Sequence, residues 1–158
     1  IGLLCASETS TAGGIATGRQ MLAAMVMGAE GVQMGTRFVA SEEASSHDRF
    51  KEAVVHAAEG DTQLSLKKLT PVRLMKNKFF QKVQEAELRG AGEDELRELL
   101  GRARAKKGMH EGDLDEGELE IGQVCALLDD ILPAGKIVQN IMEEFTEALG
   151  NTVKKFYF

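Results

Sequence analysis

AGGIATGRQMLAAMVMGAEGVQMGTRF, residues 12–38, is the stretch whose reading decides the fold. Thr11–Ala16 reads as a short, glycine-containing strand or strand end. Gly18–Met27 follows as a helix, with Met21, Leu22, Met25 and Val26 spaced for one buried face. Gly28-Ala29-Glu30-Gly31 breaks that helix, and Gly31–Met34 reads as a second short strand. A helix joining two strands through tight glycine-bounded turns is a β-α-β crossover, which makes the strands parallel.

Each strand then ends on glycine: Ala12-Gly13-Gly14-Ile15 after the first, Val32-Gln33-Met34-Gly35-Thr36-Arg37-Phe38 after the second. Glycine admits positive φ and lets backbone approach a ligand closely, while N–H groups at a following helix start point at an anion. Thr36 adds a hydroxyl. Either motif alone reads as an ordinary turn. Their separation by one β-α-β step puts Gly14 and Gly35 at the same end of neighbouring strands, the layout of the phosphate site after the last two strands of a β/α barrel. No G-x-x-x-x-G-K-[ST] or G-x-G-x-x-G pattern supports a nucleotide triphosphate loop or a dinucleotide fold.

Outward from this core, His47–Glu59 reads as an amphipathic helix carrying Phe50, Ala53, Val54, Ala57 and Ala58, with Gly60 as its C-cap. Asp61–Asn77 is irregular or extended. Asn77–Arg89, Glu93–Ala105, Glu118–Ile131 and Ala134–Leu149 read as helices, with Lys106–Gly117 as a loop. In the last helix Ile137, Val138, Ile141, Met142, Phe145 and Leu149 line one face. The expected fold class is α/β: the C-terminal portion of a TIM (β/α)8 barrel, its last two strands, followed by a mainly helical extension. Residues 1–11 form an atypical N-terminal segment, 12–60 the phosphate-binding β-α-β unit with its following helix, and 61–158 a loop and helical region of the same domain. Two parallel strands do not make a stable sheet alone. The expectation is therefore of a fragment, with further strands before residue 1 or from another chain.

The chain has 158 residues, 43% hydrophobic and 28% charged, with 5% aromatic residues and no Trp. A net charge of −6 argues against a nucleic-acid partner, which needs clustered positive charge. No apolar run approaches the ~18 residues that span a bilayer, and Ile1–Ala6 lacks the basic flank of a signal peptide. Cys5 and Cys125 are too few for a disulfide framework, so a reduced, cytoplasmic setting is expected. Cys125, with Val124 and Leu128, and the group Met21, Met25 and Met27 read as core. His47, His56 and His110 read as surface or helix-end residues, and Arg73, Lys76, Asn77 and Lys78 as a solvated basic cluster. The acidic run Glu111, Asp113, Asp115, Glu116, Glu118, Glu120 fails the calcium-loop pattern: from Asp113, Gly117 falls fifth and Val124 twelfth. No metal is expected.

Residues 12–38 resemble the FMN-phosphate segment of nitronate monooxygenases, formerly 2-nitropropane dioxygenases, whose superfamily includes the FMN-dependent enoyl-acyl-carrier-protein reductases. The resemblance continues through Ser41-Glu42-Glu43, Asp61-Thr62, Pro71–Phe79, Glu111-Gly112-Asp113 and Gly122-Gln123, and spans residues 12 to about 145. It implies FMN as cofactor, held by Gly14, Gln33, Met34, Gly35 and Thr36. It further implies oxidation of an alkyl nitronate with O2, or alternatively reduction of an enoyl thioester by NAD(P)H on the same flavin scaffold. Barrel nucleotide dehydrogenases share a similar glycine pair, but the Gln-Met-Gly-Thr-Arg-Phe run favours the FMN family. Two departures stand out. Ser7-Glu8-Thr9-Ser10-Thr11 is polar where the family has an apolar strand. The family's catalytic histidine is expected on strands before residue 1, so no catalytic residue is assigned within a chain well short of the about 250 residues of a barrel. A reading of another class follows: a non-catalytic FMN- or phosphate-binding half-barrel, forming a homodimer to bury its open edge.

Overall fold

The computed structural model of the chain describes residues 10–156. In chain order the elements are β1 (Ser10–Ala12), α1 (Gly18–Val26), β2 (Gly31–Gln33), α2 (Thr36–Val39), α3 (Asp48–Val55), β3 (Thr62–Ser65), β4 (Val72–Met75), α4 (Lys78–Leu88), α5 (Glu93–Leu100) and α6 (Ala134–Phe156). They belong to two units: residues up to 44 with those from 130 onward, and residues 45–129 between them. The chain is mixed α/β with a helical C-terminal part, and the first unit holds the crossover read from the sequence.

In that unit β1 and β2 pair in parallel, Ser10 opposite Gly31, Thr11 opposite Val32 and Ala12 opposite Gln33. β1 stops at Ala12, short of the expected Ala16, because Gly13 and Gly14 turn to φ values of 86° and 73°. Thr17 then caps α1, its hydroxyl accepting from the Gln20 N–H at 3.2 Å, while the Gln20 amide oxygen reaches back to the Ala16 N–H at 2.8 Å. This is a capping-box arrangement shifted by one residue. Gly28 ends the helix in a left-handed turn (φ 101°), with Gly28 N–H on Met25 C=O and Ala29 N–H on Ala24 C=O, the bond pair of a Schellman motif.

Helix α1 lies against α6 at a very close crossing. A Cβ on Gly18 would sit 2.2 Å from the Ile141 carbonyl oxygen and 2.4 Å from the Phe145 nitrogen, so only glycine fits there. Ile15, Ala24 and Ala29 form the buried cluster on this side, with Val32 and Met34 packed against it; Ile137 and Ile141 are the buried residues of α6. The expected burial of Val26 and Met27 is corrected: they are 76% and 57% exposed. The inward line of α1 runs through Gly18 and Ala24, which leaves Val26 on another flank of the helix. On α6, Val138, Met142 and Leu149 are likewise exposed, for the inward face is the narrower line through Ile137 and Ile141.

In the second unit, α3 starts at a cap made by His47, whose Nδ1 accepts from the Arg49 N–H at 3.2 Å. The helix ends at Val55, earlier than the expected Glu59, because the Asp61 carboxylate takes the Ala58 N–H at 2.7 Å and folds residues 58–61 into a turn through Gly60. Residues 61–77 form an antiparallel hairpin, with Thr62 opposite Met75 and Ser65 opposite Val72. Asn77 caps α4 by accepting from the Phe80 N–H, and its amide donates to Leu114 and Gly117 carbonyls at 2.8 and 2.9 Å. Leu66, Leu74, Phe79, Phe80, Val83, Ala86, Ala91 and Leu96 make the core. α5 stops at Leu100, because Gly101 and Ala103 both take positive φ.

The largest correction falls on 118–131, expected as a helix. Met75 N–H donates to the Leu119 carbonyl and Ile121 N–H to the Arg73 carbonyl, so this segment runs extended along β4, with Leu74 bridging Glu120. Leu119 and Ile121 are buried on either side of an exposed Glu120, a period of two rather than 3.6. A 3-10 turn, Gln123–Leu127, follows. The expected loop 106–117 opens with one π-helical turn, Lys106–His110.

Candidate functional site

Both glycine turns leave the β1–β2 pair at the same end. The pairing of Ala12 with Gln33 fixes this, since each chain continues one or two residues beyond that pair into glycine. Gly14 takes φ 73°, a conformation L-residues adopt at a penalty. Gly35 is helical at φ −87°, ψ −61°, the residue before α2. A Cβ built on Gly13, Gly14 or Gly35 meets nothing within 4 Å. The backbone at both turns therefore borders open space, as a cradle for a bulky anion must.

The five candidate residues play unequal parts. Gly14, Gln33 and Gly35 are exposed. Met34 is partly buried against Ile15, Ala24 and Ala29, so its side chain belongs to the core and only its backbone is available to a ligand. Thr36 opens α2 and is half-buried. An open groove of about 460 Å³ between α1 and α6, lined among others by Arg19, Leu22, Val26, Glu147 and Lys155, includes none of the five.

One expectation changes. The Gly18 N–H at the start of α1 is not free for an external anion, because the Glu144 carboxylate of α6 accepts it at 2.8 Å and also pairs with Arg19 at 3.3 Å. The helix dipole is satisfied from within the fold. Two further polar residues escaped the sequence reading. Arg37 is 7% exposed and its guanidinium pairs with the Asp130 carboxylate, donating also to the Asp130 carbonyl at 3.2 Å. No local periodicity marks a partner ninety-three residues away.

Several titratable groups elsewhere have structural partners. His47 caps α3, His56 Nδ1 lies 2.7 Å from the Glu52 carbonyl, and His110 Nδ1 lies 3.2 Å from the Ser45 carbonyl. The acidic run holds its own loop. Asp113 is kept low, at about 2, first by the Glu116 N–H and then by Lys107. Lys78 pairs with Asp115 and Lys82 with Glu116. Glu118 goes the other way, to about 7, because burial disfavours its charge and Glu120 adds repulsion, against the pull of Arg104. Among the described residues no group of three His, Cys, Asp or Glu side chains is placed to hold a metal. Cys125 is fully buried, and burial raises its thiol above the ordinary range. No described helix is long and apolar enough to cross a membrane.

The nitronate monooxygenase family profile matches residues 10–144. A probable nitronate monooxygenase of Staphylococcus saprophyticus is 32% identical over 145 residues, 87% of this chain and 39% of that protein. FabK from Thermotoga maritima superimposes with a TM-score of 0.84 at 39% identity, over 92% of this chain and 46% of its own. The nitroalkane oxidase of Streptomyces ansochromogenes gives 0.72 at 27% identity, over 90% of this chain and 40% of its own. The chain thus spans about two fifths of the length of the curated relatives it matches. Profile, relatives and superposed structures agree, and the chain belongs to the nitronate monooxygenase family.

Proposed function

We propose that this chain is the flavin-phosphate-binding part of an FMN-dependent oxidoreductase, contributing the last two strands of a β/α barrel and acting in the oxidation of alkyl nitronates by O2. The observation that carries the reading is the pair of glycine turns, at Gly13-Gly14 and at Gly35-Thr36, leaving two parallel strands at one end with open space before both. The residues present fit the group. Backbone at Gly14 and Gly35 would meet the phosphate without side-chain obstruction, Met34 would offer its backbone, Thr36 would supply a hydroxyl, and Gln33 stands exposed at the strand end. Bound FMN supplies two-electron redox chemistry. The part of this chain is to hold the phosphate end and thereby orient the ring system.

A second reading, FMN binding without catalysis in this chain, is favoured by the histidines. Each is engaged with a backbone group. Purified chain mixed with FMN and passed through gel filtration tests the binding. Retained flavin absorption supports the cradle, and a colourless protein with no affinity for FMN refutes it. Oxygen uptake with an alkyl nitronate, and NAD(P)H consumption with an enoyl thioester, then separate a binder from either enzyme.

A further inference from the structure

We propose that Arg37 is a positioning residue for the phosphate cradle, holding the Gly35-Thr36 turn in place through the ion pair of its buried guanidinium with the half-exposed Asp130. The inference rests on the flavin reading above and names how one half of that site is kept in register.

Helix α2 is a single four-residue turn, Thr36–Val39. A helix this short has no stability of its own, because its nucleation is not repaid by further hydrogen bonds. Its position must be set from outside. The segment that sets it is the strap leading into α6. Ser41 pairs with Leu132 in a parallel bridge, the Glu42 N–H donates to the Leu132 carbonyl at 3.1 Å, and the Glu43 carboxylate accepts from the Ala134 N–H at 2.8 Å. These contacts lie beyond α2. Arg37 lies within it, adjacent to Thr36, and reaches the strap with two donors, one on the Asp130 carboxylate and one on its carbonyl.

The arrangement is not that of an anion-binding arginine. The guanidinium side chain is 8% exposed and its charge is already met by Asp130, whose own side chain is 44% exposed. Burying the guanidinium costs desolvation that well-packed apolar residues would avoid. Its advantage here is geometric: a planar fork fixes direction as well as distance.

The test uses the full chain and its variants Arg37→Met, Asp130→Asn and the double substitution. FMN and riboflavin affinities are read by flavin fluorescence, with helical circular dichroism as a check on folding. Arg37→Met and Asp130→Asn should each weaken FMN about tenfold and leave riboflavin unchanged, because only the phosphate senses the turn. The double variant should be no worse than either single one, as expected for one coupled device. A merely structural role would lower both flavins together. A phosphate-contacting arginine would give the opposite result for Asp130→Asn, which would free its charge and tighten FMN. Either result, or an unchanged FMN-to-riboflavin ratio, overturns the proposal. Should Arg37→Met fail to fold, Asp130→Asn, at the more exposed partner, carries the test. A wild-type chain that binds neither flavin refutes the flavin reading and this inference with it.

Discussion

The turn after β1 and the turn after β2 both use glycine at the same end of the sheet, for different physical reasons. Gly13 and Gly14 take φ of 86° and 73°, so the turn itself demands them. Gly35 is helical, a conformation any residue adopts, and its Cβ would meet nothing within 4 Å. Nothing in the fold requires glycine at 35. A residue that the fold does not require is the better witness to a ligand. Gly18 supplies the contrast to both, being held by contact: its Cβ would overlap the α6 backbone.

The largest effect is expected from Gly18→Ala. Backbone atoms on α6 cannot move aside as a side chain would, so the substitution should destabilise the unit by about 3 kcal/mol in urea unfolding. A near-neutral result would mean that the α1–α6 crossing is looser than described. Gly14→Val comes next. A β-branched residue at φ 73° should lose about 2 kcal/mol of stability and also abolish FMN binding. Gly35→Ala sharpens the comparison most: unfolding should change by less than about 0.5 kcal/mol, while FMN affinity falls about tenfold and riboflavin affinity stays put. If Gly35→Ala bound FMN as well as the parent, the second turn would not be a cradle.

The smallest effect lies outside both turns. Glu118 titrates near 7 when folded, against an ordinary value of 4.5. The folded state therefore holds its proton more tightly than the unfolded chain. That contribution is fully present below pH 4.5, falls as the pH rises toward 7 and is lost above it. Partial solvent screening holds the change to about 1 kcal/mol. Glu118→Gln should flatten this slope between pH 4.5 and 7.5 in thermal melts, without altering flavin binding.

Much of the architecture was legible. The β1-α1-β2 crossover follows from glycine punctuation around Met21, Leu22 and Met25, and α6 follows from its periodicity, although it runs on to Phe156 rather than ending at Leu149. Cys125 lies in the core, as its place beside Val124 and Leu128 implies. Failure came where a pattern was short. Leu119-Glu120-Ile121 offers only three residues of alternation, too few to mark a strand against the helix expected over 118–131. The C-terminal ends of α3 and α5 were overrun because Asp61 and Ala103 act through local turns. At the candidate site, the glycine placement was visible because strand ends and turns are local. The Glu144 carboxylate at Gly18 and the Arg37–Asp130 pair were not visible, because each joins residues about a hundred positions apart. Thr17-Gly18-Arg19-Gln20, by contrast, is a local capping signal of the kind a sequence does carry.

The strap at 130–134 has a consequence for the order of folding. Residues 45–129 form one continuous insertion, and its two ends leave the first unit close together, between Glu43 and Ala134. Contacts such as Gly18 to Glu144 close a loop of 126 residues, whereas the hairpin of the insertion closes over eleven. Loops this long raise the entropic barrier and slow their contacts. The contacts of α6 with α1 are therefore expected to close last, after the hairpin of the insertion and the β1–β2 pair. A flexible linker of roughly ten residues in place of the insertion would shorten that loop by a little over one halving and ease closure by about 0.8 kcal/mol.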